Sequence, residues 1–144
     1  MSYIPFRLYN QGKQFYVTDY GARGDDSRDD TAAIQRAVNA AQTVTSGQLG
    51  RAGPVIFPPG RYRVSAPITV PLYVGGVYGT PFLFSGYGAE ILSTHAGSIF
   101  KRTLPTSTAQ AGNAAAVAPI FEGFEFIGPA TSGSKAIDMV ATYG

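Results

Sequence analysis

The residues with the most obvious capacity for chemistry stand close together near the start of the chain. Residues 24–31, GDDSRDDT, place Asp25, Asp26, Asp29 and Asp30 within six positions. Such a cluster can hold a cation, exchange protons or start a helix. The calcium-loop pattern D-x-[DN]-x-[DN]-G is absent, and Arg23 and Arg28 lie close enough to offset part of the charge. Helix initiation fits better, because Asp, Ser and Thr are the preferred side chains where unpaired N–H groups and a partial positive charge gather. Ser27 and Asp30 have the spacing of a capping box; alternatively Asp29 or Asp30 is itself the N-cap. Ser27, Asp29, Asp30 and Thr31 are therefore expected to be structural.

The remaining reactive side chains are sparse. From residue 61 onward the carboxylates are Glu90, Glu122, Glu125 and Asp138. Glu122 and Glu125 are close in sequence, and a glycosidase needs two carboxylates flanking one bond. Glu125, however, alternates with Phe124 and Phe126, which predicts that it faces solvent or a neighbouring chain. The one histidine, His95, has no Ser/Asp constellation around it and reads as a turn residue. Arg61 and Arg63 flank Tyr62 and share one strand face; these three remain as candidates for an anionic sugar or an acidic partner, against a solvated strand edge. The glycine-rich stretches lack a phosphate-loop lysine. No catalytic, cofactor-binding or metal-ligating residue is assigned.

The elements that must position these groups are legible in outline. FYVTDYG (15–21) reads as a short strand and residues 21–30 as a loop. Residues 30–43 form the one convincing helix, with Ile34, Ala37, Val38 and Ala41 at i, i+3, i+4 and i+7. A stripe made mostly of alanine lets such a helix approach a partner backbone closely. After Gly53 short β-rich runs alternate with Pro and Gly: Val55–Phe57, Tyr62–Ser65, Ile68–Val70, then residues 82–84, 89–92, 98–100, 124–127 and 136–140. No charged residue lies between Ser65 and Ala89. That texture fits a stacked β coil better than a free-standing antiparallel sheet. Residues 104–119 read as a loop, with a short helix at 109–118 as an alternative.

Composition bounds the rest. The 144 residues suit one domain, with 44% hydrophobic, 14% charged, 18 glycines, 10 prolines and a net charge of +2. With no cysteine, disulfides and thiolate metal sites are excluded. Scattered basic residues argue against a nucleic-acid partner. No apolar run is long enough for a membrane span, and the first residues do not read as a secretion signal.

The run VTDYGARGDDSRDDTAAIQRAVNAA, followed by GPVIFPPGRYRVSAPITV, resembles the N-terminal signature of the pectate-lyase-like superfamily of right-handed parallel β-helices. The matching residues are Asp19 to Ala22, Gly24-Asp25, Asp29 to Thr31, Ile34-Gln35 and Phe57 to Gly60 with Tyr62. GYGAEIL (86–92) and residues 121–139 look like later coils. Asp26 departs from the pattern, standing where a second glycine is common. The resemblance implies an all-β fold: the first coils of a right-handed single-stranded parallel β-helix, with one α-helix as a lid over its N-terminal end. The expected organisation is a docking segment (1–18), a loop and capping helix (19–53), and coils (54–144). It implies two functions. One is a structural and attachment component of a bacteriophage tail, trimeric as in tailspikes, located in the virion, meeting other tail proteins and a polysaccharide. The other is the N-terminal fragment of an extracellular polysaccharide lyase or glycosidase with its active site beyond residue 144. No cofactor, nucleic acid or membrane insertion is expected.

Overall fold

A computed structural model describes residues 13–42, 53–70, 73–74, 77–78, 83–102, 119–129 and 133–139. The expected docking segment up to residue 12, the link 43–52 and the helix alternative at 109–118 lie outside them. The chain runs through β1 (Phe15–Tyr16), a 3-10 turn (Val17–Tyr20), β2 (Asp25–Asp29), α1 (Thr31–Gln42), β3 (Val55–Ile56), β4 (Gly60–Val64) and β5 (Ile68–Thr69). It continues through β6 (Tyr73–Val74), β7 (Val77–Tyr78), β8 (Leu83–Ser93), β9 (Ser98–Arg102), β10 (Ile120–Ile127) and β11 (Lys135–Met139).

Pairing is parallel throughout, apart from the small β6–β7 hairpin. One sheet joins β1, β3, β8, β4 and β2, with β10 on the far side of β8; a second runs β11–β9–β5. Successive passes of the chain therefore lie on one another in register. Phe15, Val55, Phe84 and Phe121 form one column. Tyr62, Ile91 and Phe126 form another, and Ile68, Phe100 and Ile137 a third. The fold is mostly β, built of stacked parallel strands with one α-helix among the described residues.

The stack is held together by its inward columns. Val55, Phe57, Tyr62, Ile68, Phe84, Ile91 and Phe100 are buried. Each such side chain contributes about 1.5–3 kcal/mol relative to exposure. The Phe84 and Phe121 rings stack at 4.7 Å, and Phe57 meets Phe124 edge-on at 5.0 Å. The helix adds Ile34, Ala37, Val38 and Ala41, all fully buried, and packs against β1, β3, β5 and the 3-10 turn.

Three local expectations change. The strand at 15–21 is only Phe15–Tyr16; the chain then tightens into the 3-10 turn and leaves it at Gly21, whose φ of 100° suits glycine. Residues 25–29 are not a loop but an edge strand, because β4 offers them a backbone to pair with. Residues 83–93 are one strand rather than two, with a register shift opposite Gly123.

Candidate functional site

The acidic segment lies along the edge of β4, and each aspartate has a separate task. Asp25 accepts hydrogen bonds from the Ser27 N–H and hydroxyl at 3.1 and 2.7 Å. Those bonds, the hydroxyl's first, hold its carboxyl below the usual aspartate range, with Arg23 adding charge. Asp26 receives Arg63 Nε at 2.7 Å and Arg61 Nη1 at 3.4 Å. The Arg63 hydrogen bond is the chief reason its pKa is lowered. Its backbone is left-handed, with φ 59°, a conformation that favours glycine and tolerates Asp or Asn better than most. That is the position where a second glycine is common in the resembled pattern, and the left-handed backbone found here is the one glycine favours.

Asp29 and Asp30 flank the helix start. Burial alone raises the Asp29 pKa, but bonds from Ser65 and Thr31 outweigh it and leave it lowered. Asp29 accepts the Thr31 N–H at 3.0 Å and both the Thr31 and Ser65 hydroxyls. Asp30 occupies the N-cap position, since its carbonyl accepts the first intrahelical bond from Ile34 N–H at 2.9 Å. Its buried carboxylate nevertheless turns away from the helix and accepts the Arg23 and Gly24 N–H groups at 2.8 and 3.1 Å. Asp30 thus pins the preceding turn, while Asp29 satisfies the first helical N–H. Ser27 spends its hydroxyl on Asp25, so the Ser27–Asp30 capping box does not form. The physical reason is that β2 is extended, which carries Ser27 away from the helix end.

Arg61, Tyr62 and Arg63 separate by strand alternation. Arg61 bridges Asp26 and Glu90, and Arg63 pairs with Asp26, so both guanidinium groups are engaged within the chain. Tyr62 is not available to a ligand: it is 1% exposed and its hydroxyl donates to the Pro58 carbonyl at 2.7 Å. Burial first, and then the Asp30 carboxylate, push its phenol up to about 12. The outward column at this level reads Asp25, Arg61, Glu90, Glu125 across β2, β4, β8 and β10. Neighbouring strands alternate in charge until the last step, where Glu125 follows Glu90.

Glu125 is exposed and Glu122 half-buried, with Gly123 and the register shift between them. His95 sits in a bend, its Nδ1 3.2 Å from the Ala96 carbonyl. Among the described residues no group of three or more His, Asp or Glu side chains stands together to hold a metal. An open cleft of about 240 Å³ lies between Ser93, Ile99, Phe126, Pro129 and Lys135.

The residue that sequence reasoning assigned no task is Gln35. Its Oε1 accepts the Thr69 N–H at 2.8 Å and its Nε2 donates to the Thr69 carbonyl at 3.0 Å. Thr69 lies on β5, the outermost strand of the second sheet. Thr31 Oγ1 likewise accepts the Ser65 N–H at 2.9 Å. A polar residue beside the buried stripe, between Ile34 and Arg36, was the available signal.

Residues 14–82 match the family model "Rhamnogalacturonase A/epimerase, pectate lyase-like". That match agrees with the resemblance carried by the motifs of this segment. Over 51 residues, 35% of its length, the chain is 49% identical to mannuronan C5-epimerase AlgE3 of Azotobacter vinelandii. Over 55 residues, 36% of the chain, it is 46% identical to a probable glucan endo-1,3-beta-glucosidase of Arthroderma benhamiae. The chain spans only 2% and 6% of those two relatives. In three dimensions 73% of the chain superposes on 19% of the ORF18 protein of Geobacillus virus E2, with a TM-score of 0.52 and 28% identity.

Proposed function

We propose that this chain forms the N-terminal cap and first coils of a right-handed, single-stranded parallel β-helix in a phage tail protein, serving assembly and attachment rather than catalysis. One observation carries the reading: the four carboxylates of the acidic segment are spent on holding strands and helix together. Asp25 to Asp30 and Arg61 and Arg63 bind one another, Glu90, Ser65 and backbone amides. The likeness to the protein of a Geobacillus virus over most of the chain supports the virion setting. In this reading α1 is the lid, residues 1–18 dock to a neighbouring tail protein, the protein is a homotrimer, and a host polysaccharide is its target.

The test is the composition of the particle. Peptides of this protein should appear in the mass spectrum of purified virions, and antibodies to it should label the tail. Its absence from intact particles overturns the reading. Deleting residues 1–12, which leaves β1 and the core residues Phe15 and Val17 in place, should block incorporation. Light scattering that finds a stable monomer removes the trimer.

A second reading has its own observation. The match of residues 14–82 to the rhamnogalacturonase/epimerase family model, with the likeness of about a third of the chain to an epimerase and to a glucosidase, supports an N-terminal piece of a polysaccharide-modifying enzyme, whose catalytic groups lie outside these 144 residues. Incubating the full gene product with alginate and with a β-1,3-glucan tests it. New reducing or unsaturated ends, or epimerised uronate, favour the enzyme.

A further inference from the structure

Strands β8 and β10 fall out of step at one place. Ser85 faces Glu122 and Ala89 faces Phe124, so Gly86, Tyr87 and Gly88 together stand opposite Gly123 alone. On the other side of β8 the same interval is matched residue for residue by Phe57, Pro58 and Pro59. β8 therefore bulges against β10, with Tyr87 in the middle of the extra residues. Such bulges re-aim a side chain. Gly88 and Gly123, at φ 81° and 76°, supply the left-handed backbone it needs.

The side chain so aimed is a large aromatic one on the outer face. Gly86 is buried and turns to the core, where the Phe124 ring fills the place of a Cβ; Tyr87 turns the other way and is 66% exposed. Its ring lies against Gly123, where a Cβ would come within 2.7 Å of Cδ1. The exposed Pro59 packs beside Gly88 and continues the apolar strip. Carboxylates bracket the ring. Glu122 precedes Gly123 and Glu125 follows it, roughly 10 Å apart along the strand. Among the described residues no Lys or Arg pairs with either, because Arg61 is engaged by Glu90 and Asp26, Arg63 by Asp26 and Lys135 by Asp138. A further pass of chain on β10 would use its backbone groups and leave these outward side chains in place.

Taking the polysaccharide target proposed above as given, we infer that Tyr87 is the platform on which it stacks, and that the glycan carries free amino groups. The apolar face of a sugar ring packs on Tyr87 and Pro59. A protonated amine beside it is drawn to the aromatic face and to the Glu122 and Glu125 carboxylates. A polyuronate meets Glu90, Glu122 and Glu125 with charge of the same sign and is repelled.

Three short oligosaccharides of equal length test this against the whole protein by calorimetry in mildly acidic buffer: one of glucosamine, its N-acetylated form, and one of galacturonate. The glucosamine oligomer should bind at least about five-fold more tightly than the N-acetylated one, and the galacturonate oligomer more weakly than both. Tyr87→Ala should weaken the glucosamine oligomer about five-fold or more with the circular dichroism unchanged, and Tyr87→Phe should retain it. Glu125→Gln should narrow the preference for the free amine. No binding up to about 1 mM glucosamine oligomer overturns the inference. Binding insensitive to Tyr87→Ala is plain charge attraction and overturns it too. Preferred binding of the galacturonate oligomer overturns the amino-sugar assignment and leaves the polysaccharide target standing. Oligolysine that binds as tightly and with the same dependence on Tyr87 would make a basic polypeptide the occupant instead.

Discussion

The carboxamide of Gln35 holds both backbone groups of Thr69, donating to its carbonyl and accepting from its N–H, across 34 residues of sequence. One helical side chain thus imitates the strand that β5 lacks on that side. The geometry requires the helix to lie close, and the small residues Ala37 and Ala41 on its buried face permit it.

Gln35→Ala should lower stability by about 1–2 kcal/mol, the worth of two net hydrogen bonds. Urea unfolding measures it. Gln35→Glu should cost at least as much, since a carboxylate accepts from the Thr69 N–H but cannot donate to the Thr69 carbonyl. Stability unchanged in both variants would show the pairing to be dispensable.

Asp26 combines an ion pair with a left-handed backbone. Asp26→Ala loses the first and keeps the strain; Asp26→Gly loses the first and relieves the second. The glycine variant should therefore be more stable than the alanine variant by about 1 kcal/mol. Equal midpoints for the two would remove the backbone argument.

Gly24 has φ 62°, and a Cβ there would lie 2.7 Å from the buried Tyr62 ring. Gly24→Ala should destabilise by about 2 kcal/mol or more, through strain and overpacking together. Differential scanning calorimetry reads the loss, and Tyr62→Leu in the same background should recover part of it by making room.

The pH dependence follows from the direction of each shift. Asp25, Asp26 and Asp29 have folded pKa values below the ordinary aspartate value of 3.8, so their contribution is present above that value and is lost as pH falls through the folded values. Urea midpoints should drop below about pH 4, less steeply in Asp26→Asn. Tyr62 runs the other way: its phenol titrates near 10 when unfolded and about 12 when folded, so stability should decline between those values. Tyr62→Phe should flatten that decline.

The helix was readable because Ile34, Ala37, Val38 and Ala41 keep a 3.6-residue period, and most of the strands were readable from β-rich runs cut by Pro and Gly. β2 was not. DDSRD has no apolar alternation, and it is a strand only because β4 lies beside it and Arg61 and Arg63 meet Asp26. Tyr62 was misassigned although the signal was present: strand alternation sets it opposite to Arg61 and Arg63, on the side of Val64 and the core. The β6–β7 hairpin went unread, although a Gly-Gly dipeptide between Tyr73-Val74 and Val77-Tyr78 is a hairpin signal in the sequence. Gln35 stood out as a polar residue beside the buried stripe, but its partner Thr69 was not legible, because that pairing depends on how helix and sheet meet in space.

The edge filled by Gln35 is built from residues that leave a ribosome ahead of β8. By the time β8 emerges, β3 and β4 are already shielded on one side and bare on the other, so each new pass finds a single template to copy. Growth of the stack has a built-in direction, and a nascent chain stalled early exposes one sticky border instead of two.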